Sequence, residues 1–144
     1  MAGVGAFALG HVGFVAVFLT HPYLLPLHLI PFWHCLGIAA LVLVAVFMAR
    51  LLFSKARELR FAVLGYVPVI AAMGVSSLMI LPILGAQMAV IGAMLFVVSD
   101  LVLSLEMFVL RDGGRSKKLA PFVVWPTYWM AIVLLLLGFL ASQG

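Results

Sequence analysis

Charged side chains are scarce in this chain: only 8% of its 144 residues are Asp, Glu, Lys or Arg, and only four of these are acidic. Hydrophobic residues make up 67% of the sequence, and the mean hydropathy is +1.37. Such a composition excludes an ordinary soluble domain and predicts an integral membrane protein. The formal net charge of +4 does not point to nucleic acid, because the basic residues flank apolar segments, where membrane topology and anionic lipid account for them.

Cysteine and the familiar catalytic motifs are also missing. The lone Cys35 excludes an internal disulfide. The sequence contains no Walker motif, no dinucleotide-binding glycine pattern and no Gly-x-Ser-x-Gly motif. The histidines, at positions 11, 21, 28 and 34, include no pair spaced i, i+4, so we predict neither a metal site nor a cofactor.

In place of motifs the chain has long apolar runs. Its length allows about five helices of roughly 20 residues each, and we predict them at residues 2–20, 34–53, 61–81, 88–110 and 121–140. No basic residue precedes Arg50, so we expect the first run to be a retained span rather than a cleaved secretory signal. The predicted fold class is all-α, a single domain over residues 1–144 that forms an integral membrane helical bundle.

The basic residues divide unevenly between the connections. Four lie at or beside the connection after the second span and four follow the fourth span, whereas the proline-rich connection at residues 21–33 has none. With five spans, both basic connections lie on the same side of the membrane. The positive-inside rule then places them, together with the N-terminus, in the cytoplasm.

One acidic side chain lies deep within an apolar run. Asp100 is eleven residues from Arg111, or about 16 Å of helix, which is close to half of a hydrocarbon core about 30 Å thick. A carboxylate at the centre of a membrane helix costs roughly 2.5–3.5 kcal/mol on insertion scales, so such residues usually face the bundle interior and mark a site. His11 has a similar depth in the first span, and we predict that the two side chains meet inside the bundle.

Two further polar residues share the helix of Asp100. Ser104 follows it by one turn on the same face, where its hydroxyl can hydrogen-bond the same ligand or water. Glu106 is about 9 Å nearer the cytoplasmic side and is rotated by roughly 120°, so it either anchors at the headgroups or lines the mouth of a shared cavity. The buried pair also has a structural interpretation, in which Asp100 and His11 hold the bundle together without chemistry.

Three blocks of the sequence resemble the YhhN-like lysoplasmalogenase family. Residues 92–100, Gly-Ala-Met-Leu-Phe-Val-Val-Ser-Asp, resemble the Gly-Ala-x-x-Phe-x-x-Ser-Asp helix of that family, and this block is the most specific. Residues 5–11, in which Phe7 and His11 are four positions apart, resemble the Phe-x-x-x-His part of its Gly-x-x-x-Phe-x-x-x-His helix, and residues 127–129 resemble the Thr-Tyr-Tyr/Trp start of its last helix. With the helix that contains Tyr66 between them, the resemblance covers nearly the whole chain.

The sequence departs from this family in two places. Members carry further helices ahead of the histidine helix, one of them with a Gly-Asp motif whose aspartate partners the Ser-Asp aspartate. This sequence begins after the place of that motif, so the resemblance implies either an N-terminally shortened member or a native start that lies upstream of Met1. In addition, the last helix of the family usually carries a glutamine where Ile132 stands here.

The resemblance implies a membrane-embedded hydrolase that cleaves the vinyl ether bond of lysoplasmalogens to a fatty aldehyde and a glycerophospho-alcohol. The reaction needs an acid that protonates the β-carbon and a group that activates water, and on this hypothesis Asp100 and His11 are the catalytic residues. The candidate substrate-binding residues are Ser99, Ser104, Glu106 and Tyr128. The expected partners are a lysophospholipid substrate and membrane lipids, with no nucleic acid.

Two other interpretations stay open on the sequence alone. One is a catalytically silent, truncated family member that acts as a membrane bundle or lipid-binding protein. The other is a proton-linked transporter or channel subunit that uses Asp100. The sequence has no evident inverted repeat, which many transporters have, so the transporter is the less favoured of the two.

Overall fold

The structure, a computed structural model, describes residues 2–56, 60–81 and 83–142. This part of the chain forms five α-helices, which confirms the all-α prediction: α1 Ala2–Leu19, α2 Phe32–Lys55, α3 Arg60–Leu78, α4 Leu84–Phe108 and α5 Arg115–Ala141. A short 3₁₀ helix, Leu27–Leu29, lies between α1 and α2. The charged connection expected between α2 and α3 includes Arg57 and Glu58, which lie outside the described residues.

Not all five helices have the same capacity to cross a membrane. Among the described residues, α2, α4 and α5 are long and apolar enough to do so, whereas the apolar parts of α1 and α3 are shorter, at Gly5–Leu19 and Leu64–Leu78. At 1.5 Å per residue, the whole of α1 or α3 covers about 27–29 Å, slightly less than a hydrocarbon core of roughly 30 Å. The protein is therefore a helical membrane protein, and the count of five crossings stays a prediction.

Three helices begin two or more residues earlier than the apolar runs predicted. They start at Phe32, Leu84 and Arg115 instead of at positions 34, 88 and 121. For α5 the reason is the connection before it, because Gly113 has a φ of 76°, a backbone conformation that glycine adopts without strain. The chain reverses there within a few residues, so polar residues that were assigned to a loop form the first turns of the helix.

The helices α4 and α5 form a closely packed antiparallel pair, because small residues let their backbones approach. A Cβ on Gly92 would lie 2.9 Å from the carbonyl oxygen of Ala131, and a Cβ on Gly138 would collide with the backbone of Ala89. Such small-residue contacts are typical of membrane helices, which lack a hydrophobic driving force for association. This pairing fixes the face of α4 that carries Ser99 and Asp100 relative to α5.

The helix α3 connects the rest of the bundle, since it packs against α1, α2 and α4. One buried cluster joins α1, α3, α4 and α5 through side chains such as Phe18, Met73, Phe96 and Leu135. Met48, Leu52 and Val67 form a second cluster between α2 and α3. Because α3 packs against three neighbouring helices, a side chain on its buried face can lie at the centre of the bundle.

The connection between α1 and α2 is joined to the turn between α3 and α4 by backbone hydrogen bonds. The Leu25 N–H donates to the Met79 carbonyl at 2.8 Å, and the Leu81 N–H donates to the Tyr23 carbonyl at 2.9 Å. These bonds satisfy backbone groups that would otherwise lie unpaired at the end of an apolar bundle. The proline-rich connection is therefore held in place rather than loose.

His21 adds a third link at this end of the bundle. Its Nδ1 accepts the Tyr23 backbone N–H at 3.3 Å, and its Nε2 lies 3.2 Å from the Ser142 Oγ. Because Nδ1 accepts, the hydrogen of a neutral ring is on Nε2, which donates to Ser142. Burial lowers the pKa of His21, which favours the neutral ring that the hydrogen bond accepted by Nδ1 requires.

Candidate active site

The buried carboxyl of Asp100 lies where α1, α3 and α4 meet. Asp100 is 2% exposed and His11 is 1% exposed. The His11 Nε2 lies 2.8 Å from the Asp100 Oδ2, and the Tyr66 hydroxyl donates a hydrogen bond to the same oxygen at 2.9 Å. The prediction that His11 and Asp100 approach each other inside the bundle is confirmed.

The other nitrogen of His11 determines where the protons of the pair lie. Its Nδ1 is 2.9 Å from the backbone carbonyl oxygen of Phe7, one turn earlier, and a carbonyl only accepts, so Nδ1 carries a hydrogen. The ring is then either a neutral imidazole facing a protonated Asp100 or an imidazolium facing a carboxylate. In both states one transferable proton lies between Nε2 and Oδ2.

The contact between the two side chains is close but not well aligned. Although the Asp100 Oδ2 is 2.8 Å away, the His11 Nε2 has no hydrogen-bond partner of good geometry among the described residues. We therefore describe the pair as an ion-pair contact rather than a directional hydrogen bond. A buried nitrogen without a hydrogen bond destabilises the protein, and a further group that bonds to it removes this cost. The Nε2 atom is therefore suited to bind a ligand or a water.

Aromatic rings surround the imidazole. The Phe96 ring lies 4.8 Å from that of His11 at an interplanar angle of 83°, and the Tyr66 ring lies 5.6 Å away at 82°. Phe7 completes the enclosure at 6.1 Å. Apolar rings lower the local dielectric, which strengthens the electrostatic interactions of the pair, and aromatic faces also stabilise nearby positive charge.

A cavity of about 240 Å³, which we call the lateral groove, opens beside Asp100. Its lining comes from three helices, namely Phe7 of α1, Ser99, Asp100 and Leu103 of α4, and Val124, Trp125 and Tyr128 of α5. Trp125 is 63% exposed, so the groove reaches the outer, lipid-facing surface of the bundle. The groove is therefore an apolar route from the surface to the buried carboxyl.

A second cavity of about 40 Å³, the inner chamber, also borders Asp100. It lies between α2, α3 and α4, and Ser104 is the other polar residue that lines it. The rest of its lining is apolar and includes Met48, Val67 and Ala71. Asp100 thus lines two cavities that are formed between different sets of helices.

The predicted substrate-binding residues divide between these cavities. Ser99 and Tyr128 line the lateral groove, where the Ser99 hydroxyl donates to the Val124 carbonyl at 3.2 Å. Ser104 lines the inner chamber instead. Glu106 lines neither cavity, as its rotation of roughly 120° from Asp100 on the same helix would lead one to expect.

Tyr66 is a site residue that the sequence did not predict; it stands out there only as part of a helix that resembles the family. Tyr66 follows Arg60 by six residues, which is also the position of an ordinary interfacial tyrosine. One signal was available, since Tyr66 is the only side chain with a hydroxyl between Arg60 and Ser76. A hydroxyl in so apolar a helix needs a partner, and here that partner is Asp100.

Within the described residues, no group of three or more His, Cys, Asp or Glu is placed to hold a metal ion. The fold and the site together define a helical membrane protein whose buried carboxyl can be reached through an apolar groove. A family model described as the YhhN family matches residues 1–139, so the chain belongs to the YhhN family, and the resemblance seen in the sequence is confirmed. No curated protein and no solved structure matches the chain.

Proposed function

We propose that the chain hydrolyses the vinyl ether bond of lysoplasmalogens, with Asp100 as the proton donor. The observation that carries the proposal is the position of Asp100, buried beside His11 at the inner end of the lateral groove. The substrate class comes from the sequence resemblance, and membership of the YhhN family agrees with it.

The lateral groove suits a substrate with a single hydrocarbon chain. Its lining is mostly apolar and its outer side is formed by the exposed Trp125, so a lipid can approach from within the bilayer. Leu103 and Val124 lie between Asp100 and the end of the bundle that carries Arg111, in the α4–α5 connection, and Arg115, the first residue of α5. A lipid bound with its ether at Asp100 therefore directs its phosphate toward these basic side chains, which attract it electrostatically.

The first chemical step is protonation of the vinyl ether. The carboxylic acid of Asp100 donates its proton to the β-carbon, and the electron pair of the double bond forms the new C–H bond. Positive charge then spreads over the α-carbon and the ether oxygen. The carboxylate that remains, held by the Tyr66 hydroxyl, stabilises this oxocarbenium ion in a site from which water is largely excluded.

The second step is capture by water. A water molecule adds to the α-carbon, and its proton returns to the Asp100 carboxylate directly or through the His11 Nε2. The resulting hemiacetal breaks its bond to the glyceryl oxygen, which takes up the hemiacetal proton. One water is consumed, the acid is restored, and the products are a fatty aldehyde and a glycerophospho-alcohol.

The substitution Asp100→Asn tests this proposal. Asparagine keeps the size and most of the hydrogen bonding of the side chain but has no carboxylic proton, so we expect turnover to fall by about 10²–10⁴-fold. The measurement is aldehyde release from a vinyl-ether lysolipid by purified protein in detergent, with gel filtration to show that the protein stays monodisperse. Asp112→Asn makes the same change in the exposed α4–α5 connection and should leave turnover unchanged.

Other outcomes of this experiment are equally informative. Turnover by Asp100→Asn at the wild-type rate would remove Asp100 from catalysis. A wild-type chain that releases no aldehyde, alone or extended upstream, would favour the catalytically silent lipid-binding protein. Glu106→Gln should lower turnover much less than Asp100→Asn, because Glu106 lines neither cavity.

A further inference from the structure

The serines of this bundle differ in where their hydroxyls are bonded. Backbone carbonyl oxygens accept hydrogen bonds from Ser54, Ser76, Ser77, Ser99 and Ser142, the usual arrangement in apolar helices. Ser104 lies within α4 but donates to no group in the part of the chain that the structure describes. Its side chain lines the inner chamber together with Asp100.

The inner chamber has the size and polarity of a water site. Its volume of about 40 Å³ exceeds the roughly 10–15 Å³ that one water requires, and water also needs two or more polar partners. The carboxyl of Asp100 and the hydroxyl of Ser104, one helical turn apart on the same face, supply two. The lateral groove, at about 240 Å³, gives a lipid chain more room.

We propose that the inner chamber holds the water that attacks the oxocarbenium ion, and that Ser104 positions this water. The inference rests on the proposed function and assigns a separate place to each of its two reactants. The lipid reaches Asp100 through the lateral groove, and the water reaches it from the inner chamber. Ser104 is thus a positioning residue, since it acts on the water and not on the lipid.

This assignment makes a chemical prediction that is independent of the overall rate. When water is in place, it captures the oxocarbenium ion before the ion can revert. When the chamber is filled, the ion instead returns a β-proton to the Asp100 carboxylate and becomes a vinyl ether again. In D₂O, Asp100 donates deuterium to the β-carbon, and the ion can then lose the hydrogen that this carbon already carried. The recovered substrate therefore acquires deuterium at its β-carbon.

Two substitutions remove the water in different ways. Ala71→Val narrows the inner chamber from α3, and Ser104→Ala removes the hydroxyl. We expect each to lower aldehyde release by about threefold to tenfold, the effect of losing one neutral hydrogen bond, while β-deuterium in the recovered substrate rises above the wild-type level. Ala72→Val, which makes the same change at the neighbouring exposed position, should match wild type in both measurements.

Aldehyde release and substrate deuteration, followed by mass spectrometry in D₂O, separate the possible failures. Wild-type behaviour of both chamber variants would overturn the inference, as would a parallel loss of hydrolysis and deuteration, because protonation rather than water capture would then be impaired. The proposed function survives either result as long as wild type is active and Asp100→Asn is not. If wild type shows no hydrolysis and no deuteration, the proposed function and this inference both fail.

Discussion

A single backbone carbonyl, that of Phe7, determines the chemical character of His11. Because it holds the Nδ1 hydrogen, only Nε2 can exchange a proton, and that atom faces Asp100. The structural and catalytic interpretations of the pair then differ in one measurable respect. If the pair only stabilises the bundle, Asp100→Asn should mainly lower the thermal unfolding midpoint. If Asp100 is the catalytic acid, the same variant should lose turnover with little change in that midpoint.

Tyr66 provides a second residue-scale prediction. Tyr66→Phe removes the hydroxyl that bonds the Asp100 Oδ2 and keeps the ring that packs on His11. A hydrogen bond to a charged group contributes about 1.5–3 kcal/mol, and this one is strongest when the carboxylate forms in the transition state. We therefore expect kcat to fall by about tenfold to a hundredfold with little change in KM.

Steady-state kinetics on vinyl-ether lysolipid, with Tyr23→Phe in the exposed α1–α2 connection as the control, checks this prediction. A raised KM at an unchanged kcat would show instead that Tyr66 acts on substrate binding.

The residues of the site were not equally predictable. Depth along a helix follows directly from the rise per residue, so the sequence placed Asp100 and His11 at the same level. Which side chain of α3 points at them depends on the rotation of that helix. This rotation is set by packing against three neighbouring helices, and a sequence of such uniform apolarity does not indicate it. For that reason the sequence did not predict the contact between Tyr66 and Asp100.

At the scale of helices, apolar runs located all five elements, but their ends were less well predicted. Helices that continue beyond the hydrocarbon carry polar residues in their first turns, as α5 does from Arg115, and hydropathy assigns such turns to loops. The pairing of Leu25 with Met79 had no sequence signal, because it joins two irregular segments far apart in the chain. Contacts of this kind depend on tertiary structure.

The close packing of α4 and α5 makes a prediction at the same scale. Gly138→Ala should lower the thermal unfolding midpoint, because its Cβ would collide with Ala89 and overpacking typically costs about 1–3 kcal/mol. Gly13→Ala is the matched control, since a Cβ on this exposed residue meets nothing within 4 Å and should be neutral or stabilising by about 0.4–1 kcal/mol. Equal midpoints for the two variants in detergent would contradict this account of the interface.

For the whole molecule, the sequence predicts which side of the membrane each connection occupies. In a Cys35→Ser background, we expect Ser116→Cys to resist a membrane-impermeant thiol reagent in intact cells and His28→Cys to react with it, because the basic connections are predicted to be cytoplasmic. Both positions are exposed, so their reactivity reports the side of the membrane rather than burial. Labelling of the residue 116 variant from outside would refute this topology.

The helix α1 carries both a wall of the lateral groove and one partner of the buried pair. Phe7 lines the groove, and His11, one turn later, lies with its Nε2 2.8 Å from the Asp100 Oδ2. A movement of α1 away from α4 that widens the groove therefore also lengthens this distance. Lipid entry and proton transfer are then mechanically coupled through one helix.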